Sequence, residues 1–441
     1  MKIVQAVGWY YPESLGGSEV YVAGLSQRLR AAGQDVTIAV PDPTGGAERT
    51  YDHEGVSVYR YPVPDAPTRA ESQGRVVARG ADRFHAWLAR QRPDIVHAHT
   101  FVTGLGLAEL KAARAVGARL FVTDHCGSLG WICQRGTMMR WGERLCDGIC
   151  SPGKCAACAL HHRGVPKPLA LAVGAVPPNL GRVARALPGR IGTALGMSEL
   201  IAHNQLMQRE MLEITEKFVV LTEWAFEVVA ANGAPREKLV LNRLGMSHHK
   251  IAAKPGPDER PTRTPIRVGY MGRFDTIKGI GDLVRSVTSL PRDISFRLEL
   301  RGPVRTEAER VYVKVLQALS AGDPRIEFAP AVAPSEALDA LATYDVLCCP
   351  SLFLEGGPTV AMEAQAVGTP VIGSRIGGLA EIVRDGINGR LVPPGDWRAL
   401  SEVLAEIVRD PAGTVDRWRL ALPKVRTMDE IAADYEALYA P

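Results

Sequence analysis

Residues 345–373 read Asp345-Val-Leu-Cys-Cys-Pro350-Ser-Leu-Phe-Leu-Glu355-Gly-Gly-Pro358-Thr-Val-Ala-Met-Glu363-Ala-Gln-Ala-Val-Gly-Thr-Pro370-Val-Ile-Gly373. A short apolar run, a glycine–proline turn, a helix-forming stretch and a second apolar run follow one another. That is the order strand, turn, helix, strand of a parallel βαβ unit. Gly356 and Gly357 allow a tight turn with close backbone approach, and Pro358 suits a first helical position, where its missing N–H costs nothing. The free N–H groups of the first turn, Thr359 and Val360 among them, then favour an anion such as phosphate. Glu355 and Glu363 stand eight positions apart across this turn. Carboxylates beside an anion site need partners other than the anion, and sugar hydroxyls are suitable because carboxylates accept hydrogen bonds well. The turn therefore points to a nucleotide sugar. A plainer alternative makes Glu363 a helix cap and Glu355 a solvated side chain.

The same rhythm extends in both directions. Around this unit, strands are expected at 266–271, 296–301, 326–329, 345–350, 370–373 and 389–392, each followed by a helical stretch. A first series is expected at 2–7, 35–40, 56–63, 94–99, 119–123, 217–222 and 238–244. Residues 251–265 are rich in proline and charge, the composition of a surface linker. The expected fold is α/β, with two Rossmann-like doubly wound domains facing a cleft. The first spans 1–250 and carries an insertion at about 126–200, the second spans 266–427, and 428–441 forms a closing helix packed across both. Open α/β sheets bind ligands outside the carboxyl ends of their strands, so function is to be sought at the strand-to-helix turns.

The whole chain sets outer limits. Its 441 residues suit two domains. Hydrophobic residues at 46% and charged residues at 23% are those of a globular protein. A net charge of +4 without a basic stripe argues against nucleic-acid binding. The longest apolar candidate, Leu169 to Val176, is far short of the roughly 20 residues of a bilayer span. Met1-Lys2 leads directly into a strand with no apolar leader, so a cytoplasmic location is expected. Arg182, Arg185 and Arg190 bunch among apolar neighbours, which leaves peripheral contact with anionic lipid at the inner membrane open.

With its neighbours, the Glu355–Glu363 turn resembles the E-x₇-E motif of retaining glycosyltransferase family 4, also called glycosyl transferases group 1, whose members have the GT-B fold. The resemblance covers nearly all the chain outside the insertion. It is carried further by Gly269-Tyr-Met-Gly272-Arg273-Phe-Asp-Thr-Ile-Lys278-Gly279, Leu300-Arg-Gly302, Ala366-Val-Gly-Thr-Pro-Val-Ile372, Gly377-Gly-Leu-Ala-Glu-Ile382 and Asn388-Gly389. It implies transfer of a hexose with retention from a nucleotide diphosphate sugar, such as a UDP- or GDP-sugar, to a sugar, lipid-linked or small-molecule acceptor. Polysaccharide, glycolipid or natural-product assembly is the implied setting.

By the same resemblance, Glu355 holds hydroxyls of the donor sugar and Glu363 the ribose, while Arg273 and Lys278 bind the diphosphate. Their cations then stabilise charge developing on the leaving group, and no catalytic divalent metal is expected. His125, at the end of the fifth strand, is the implied histidine at the donor sugar. The loop Gly16-Gly17-Ser18-Glu19 is the implied glycine-rich loop near phosphates and acceptor. Gly17, Gly302, Gly356, Gly357, Thr359 and Val360 complete the expected donor contacts. The chain departs from the family at Gly357-Pro358, where an aromatic–glycine pair is more common, and so lacks one backbone donor near the sugar.

Six of the eight cysteines fall between Cys126 and Cys158, spaced C-x₆-C-x₁₂-C-x₃-C-x₄-C-x₂-C. Reduced thiols in a cytoplasmic protein favour a metal over disulfides, and four suffice for Zn²⁺ or an iron–sulfur cluster such as [4Fe–4S]. Similar cysteine-rich inserts in the family imply Cys133, Cys146, Cys155 and Cys158 as the ligands, with Cys150 additional. Four protein ligands leave zinc no open position, so a structural role is expected in a segment with no evident core of its own. Cys348 and Cys349 read as buried core thiols. Two other readings compete: a nucleotide-sugar epimerase or hydrolase of the same fold, and a non-catalytic metal-binding or redox-sensing protein on this scaffold.

Overall fold

The computed structural model describes every residue except 15, 45, 126–131, 247–261, 263 and 441. Cys126 and most of the 251–265 segment therefore lie outside the described residues. The chain divides into two compact units, Met1–Arg243 with Met428–Pro441, and Leu244–Thr427.

In the first unit the strands are β1 (Lys2–Ala6), β2 (Asp35–Asp42), β3 (Arg49–His53), β4 (Val56–Pro62), β5 (Ile95–Ala98), β6 (Arg119–Asp124), β7 (Met139–Arg140), β8 (Arg144–Leu145), β9 (Lys217–Val220) and β10 (Leu239–Leu241). Eight of them form one sheet in the order β10-β9-β6-β5-β1-β2-β4-β3. Only β3 runs antiparallel. It was not expected from the sequence, because Arg-Thr-Tyr-Asp-His is an exposed edge without an apolar run.

One face of this sheet buries Val4, Val96, Leu120, Val122 and Phe218 in the main core. The C-terminal helix Met428–Tyr439 belongs to the first unit and buries Met428, Ile431, Ala432, Tyr435 and Tyr439. These positions recur at helical spacing and so form a single stripe.

The second unit has β11 (Ile266–Met271), β12 (Phe296–Gly302), β13 (Ile326–Pro330), β14 (Val346–Cys349), β15 (Val371–Ser374) and β16 (Gly389–Val392). They form one parallel sheet in the order β13-β12-β11-β14-β15-β16. Strand order reverses between β11 and β14, so the loops leaving these two strands flank the switch point, where open α/β sheets take ligands. Cys348 and Cys349 are buried in β14, and burial pushes the Cys348 thiol up to about 12.

The insertion differs from its expected character. Beyond the β7–β8 hairpin it is built of helices Pro152–His162, Lys167–Gly174, Pro178–Ala184, Gly189–Leu195 and Met197–Ile214. It also has a small core of its own, in which Cys150, Ala156, Ala159, Leu160, Ala170, Met197 and Ile201 are buried. Many of these are alanines, which carry little sequence signal of burial.

Candidate functional site

The site of the second unit is assembled by backbone packing. After β11 the chain forms a short 3₁₀ turn, Thr276–Lys278, capped by the Asp275 carboxylate accepting from Ile277 N–H. Gly279 follows at φ +68°, and a Cβ there would lie 1.9 Å from the Pro350 carbonyl oxygen. Leu352 N–H donates to the Ile277 carbonyl at 2.8 Å. These contacts dock the loop after β11 onto the loop after β14 and bring Lys278 Nζ to 2.9 Å from Glu355 Oε1. Ser351 Oγ also donates to Glu355 Oε1, and Lys278 Nζ lies 5.0 Å from the centre of the Phe353 ring.

Both members of the pair are largely enclosed, with side-chain exposures of 20% for Lys278 and 11% for Glu355. Sequence reasoning placed Lys278 on diphosphate and Glu355 on sugar hydroxyls; here they satisfy each other. Neighbouring Arg273 is exposed and has no ion pair among the described residues.

The turn 355–357 is held from the side. Gly378 N–H donates to the Glu355 carbonyl at 2.8 Å. A Cβ on Gly377, at φ +55°, would lie 2.7 Å from that carbonyl, and one on Gly378 would lie 2.5 Å from Gly357 N. Gly356 and Gly357 are half-buried, Gly357 at φ +115°. The helix begins at Thr359, with Pro358 as its cap rather than its first residue, and no side chain caps it. Glu363 is thus the fifth helical residue and not a cap. Thr359 is exposed and Val360 half-buried, and neither N–H is bonded among the described residues. Gly302 has a packing reason: a Cβ there would meet the Gly272 carbonyl oxygen at 1.9 Å.

In the first unit, Gly17 opens the helix Gly17–Ala31, with Gly16 as its cap. A Cβ on Gly17 would touch nothing within 4 Å. The hydroxyls of Ser14 and Ser18 both donate to buried Glu19.

His125 ends a row of polar groups on the sheet face beneath Tyr435 and Tyr439. Strand register places Gln5, His97 and Phe121 side by side, and Thr123 follows Phe121 on the same face. His125 Nε2 lies 3.1 Å from His99 Nδ1, and His99 Nε2 lies 2.6 Å from Gln5 Oε1. His97 contacts Thr123 Oγ1 at 2.7 Å and Tyr439 Oη at 2.5 Å. Thr123 Oγ1 in turn meets Tyr435 Oη at 2.7 Å. Because Gln5 Oε1 only accepts, neutral His99 donates from Nε2, accepts at Nδ1, and fixes His125 as the Nε2–H tautomer. Desolvation lowers His125 to about 4 and depresses His97 and His99 well below the usual histidine range, so all three are neutral near pH 7. Sequence reasoning missed His97 and His99. Their signal was His-Ala-His in a buried strand, two residues apart and hence on one face.

Also within the first unit lies a cavity of about 500 Å³. The segment 71–78, the loop 101–109 after β5 and the insert residues Gln134, Arg163, Leu200, Asn204, Met207 and Met211 form its walls. No sequence motif announced it, since its walls come from three separated segments.

Cys133, Cys146, Cys155 and Cys158 line one small cavity of about 30 Å³. Trp141 N–H points at Cys158 Sγ at 3.3 Å and Ser151 N–H at Cys155 Sγ at 3.4 Å. Cys150 is buried behind them and donates its S–H to Cys155, which favours the Cys155 thiolate. Burial pushes Cys146 and Cys158 up. Among the described residues no three donors are close enough to form a ready-made metal group.

Two family models match, "Glycosyl transferase 4-like domain" over residues 16–245, more than half of the chain, and "Glycosyl transferases group 1" over residues 257–422. A D-inositol 3-phosphate glycosyltransferase of Streptomyces scabiei is 26% identical over 415 residues, covering 90% of this chain and 79% of the relative. A putative colanic acid biosynthesis glycosyltransferase of Escherichia coli is 31% identical over 181 residues, 39% of this chain and 43% of the relative. Among solved structures, sucrose-phosphate synthase from Thermosynechococcus elongatus matches with a TM-score of 0.67 at 20% identity, covering 100% of this chain and 98% of that one. Anabaena HepE in complex with UDP matches with a TM-score of 0.63 at 14% identity, covering 99% of both chains. With two doubly wound units, the loops at the β11/β14 switch point and both family models in agreement, the chain belongs to the group 1, family 4-like glycosyltransferases of the GT-B fold class.

Proposed function

We propose that this glycosyltransferase moves a hexose, with retention of configuration, from a nucleoside diphosphate sugar bound by its second unit to an acceptor bound by its first. The observation that carries the reading is the 2.9 Å Lys278–Glu355 pair at the β11/β14 switch point. The pair joins a cation to an enclosed carboxylate that stands four residues before the helix starting at Thr359, which supports an anion site with a sugar-binding carboxylate next to it in the chain. In this reading Lys278 and Arg273 take the departing diphosphate, Glu355 turns to sugar hydroxyls, and Glu363 holds the ribose. The charge developing on the leaving group is met by these cations and by free N–H groups, so no catalytic divalent ion enters the scheme. Neutral His125, held as one tautomer, accepts or donates a hydrogen bond to a sugar without introducing charge.

The UDP and UDP-glucose bound by HepE support a uridine donor, with GDP-sugars as the second class to test. The 500 Å³ cavity of the first unit is the acceptor site in this reading. Relatives named for amylovoran, colanic acid and inositol 3-phosphate chemistry support a role in glycan or glycolipid assembly. The four-cysteine cavity takes one structural metal centre, which ties the β7–β8 hairpin to the helix Pro152–His162. Four thiols round one cavity suit either a tetrahedral Zn²⁺ or an iron–sulfur cluster, and elemental analysis separates the two. A cytoplasmic site of action accords with seven free thiols among the described residues. Among those residues no helix is long and apolar enough to cross a membrane.

A thermal-shift screen of UDP- and GDP-sugars tests donor binding, because a specific ligand raises apparent stability by mass action. NMR of the product's anomeric proton then reports retention. The proposal expects one donor class to raise Tm and the product to keep the donor configuration. Inversion, or no response to any nucleotide sugar, would overturn it.

A further inference from the structure

Three short insert helices, Lys167–Gly174, Pro178–Ala184 and Gly189–Leu195, form a layer over the longer helices Pro152–His162 and Met197–Ile214. Their amphipathicity is reversed. Small residues make the inward contacts: Ala170 and Gly174 in the first helix, Gly181 in the second, Gly192 in the third. The fit is close, since a Cβ on Gly174 would lie 2.7 Å from Ala157 N and one on Gly181 would lie 3.1 Å from Glu199 Cβ.

Apart from half-buried Val173 and Leu195, the large apolar side chains of these helices point outward. Leu169, Leu171, Leu180, Val183, Leu187 and Ile191 are 47–74% exposed. They are six of the eighteen exposed large hydrophobics among the described residues, gathered within 23 positions. Single exposed leucines need no explanation, but six exposed leucine, valine and isoleucine side chains on and between three adjoining short helices do.

The layer cannot simply fold back to hide this face. Arg69 donates to the Arg185 and Gly189 carbonyls and to Thr193 Oγ1, tying the turn between the second and third helices to the body of the unit. Buried Glu199, paired with both guanidinium nitrogens of Arg75, anchors the start of the supporting helix.

Charge identifies the occupant. Residues 148–198 contain six lysines and arginines and no aspartate or glutamate; Lys154, Lys167 and Arg185 pair with Asp147, Glu143 and Glu199 outside that stretch, which leaves Arg163, Arg182 and Arg190 as the excess charge. Arg182 and Arg190 are exposed among the apolar side chains and form no ion pair among the described residues. A second copy of the same cationic face would repel it. No Phe, Tyr or Trp occurs between residues 142 and 217, so the face lacks the aromatic anchors that dominate protein–protein hot spots. Outward Leu, Val and Ile rimmed by arginine instead match a bilayer interface, where apolar side chains enter the acyl boundary and cations meet lipid phosphates. The helices have only 7 or 8 residues, which makes the contact a peripheral one.

We propose that this face docks the enzyme on an anionic phospholipid surface. Flotation of the full-length protein with phosphatidylcholine vesicles, and with vesicles containing 30% phosphatidylglycerol, tests it directly. Binding is expected to the anionic vesicles only, and to weaken as salt is raised. Arg182→Glu and Arg190→Glu are each expected to weaken it roughly 10-fold, because each replaces a favourable surface charge by a repulsive one. Val183→Asp with Ile191→Asp should abolish it. All four positions are exposed, so Tm and turnover on a water-soluble acceptor should stay at wild-type values. Failure to float with anionic vesicles at low salt, equal binding to both vesicle types, or variants that float like the wild type would overturn the proposal. So would a concentration-dependent dimer that Val183→Asp dissolves, which would assign the face to a second copy.

Discussion

Lys278 and Glu355 illustrate how one pair serves two states of an enzyme. Enclosed charges are costly unless paired, and at 2.9 Å each neutralises the other while Ser351 completes the carboxylate's bonding. Removing either partner strands the other. Lys278→Met and Glu355→Gln should therefore each lower stability by about 1–3 kcal/mol, and the double variant should cost less than their sum. A urea-unfolding cycle measures this coupling. Activity should fall by two orders of magnitude or more in each single variant, since charge stabilisation at the leaving group is worth about 3 kcal/mol. Additive stability losses with near-normal turnover would contradict the assignment.

Buried His97 and His99, with half-buried His125, make a separate prediction. His97, His99 and His125 are depressed in the folded state, whereas in the unfolded chain they titrate near about 6.5. Below that pH the unfolded chain binds more protons, so stability is fully present above it and is lost as pH falls towards the depressed values. The slope reaches about 1.4 kcal/mol per pH unit for each of the three, and half-buried His203, depressed by desolvation, acts in the same direction. Carboxylates with lowered values lose their contribution only at more acidic pH. Urea midpoints between pH 7.5 and 5.5 should thus drop steeply; a flat profile would rule out a neutral buried row.

Among elements, the strand-to-helix loops separate glycines required by packing from those that leave room. Gly279→Ala would place a methyl group 1.9 Å from the Pro350 carbonyl at a left-handed φ. It should destabilise by about 2–4 kcal/mol and displace Lys278. Gly17→Ala meets nothing within 4 Å, so stability should hold while KM for the donor rises if the phosphates or acceptor approach that backbone. Unfolding curves together with steady-state kinetics distinguish the two. Unchanged kinetics in Gly17→Ala would remove this loop from the site.

For the molecule as a whole, the insertion couples a metal proposal to a real, small core. Protein purified without oxygen should contain about one equivalent of metal. Cys155→Ser and Cys158→Ser should each lose it, because removing one thiolate ligand removes metal-binding energy that orders the segment. Since Ala156, Leu160, Ala170 and Met197 already pack together, the insert should keep its helices without metal and lose mainly the hairpin around Cys133 and Cys146. Elemental analysis and hydrogen exchange measure the two parts. Metal-free protein with full protection of the hairpin would leave the thiols without a metal role.

The strands of both sheets were legible to within a few residues, apart from polar β3, because strands buried on both faces of a parallel sheet must be continuous apolar runs. The turn at Glu355–Glu363 was legible because glycine and proline impose their stereochemistry locally. What the sequence alone could not decide were contacts between residues far apart in the chain. Packing alone pairs Lys278 with a carboxylate 77 positions away, fits Gly377 and Gly378 against the Glu355 turn, and sets Tyr435 and Tyr439 over the histidine row. It likewise gathers four cysteines round one cavity and turns small residues inward so that leucines face out. Periodicity records which residues a chain can bury, whereas the identity of the group each one meets is settled only when distant segments compete for the same space.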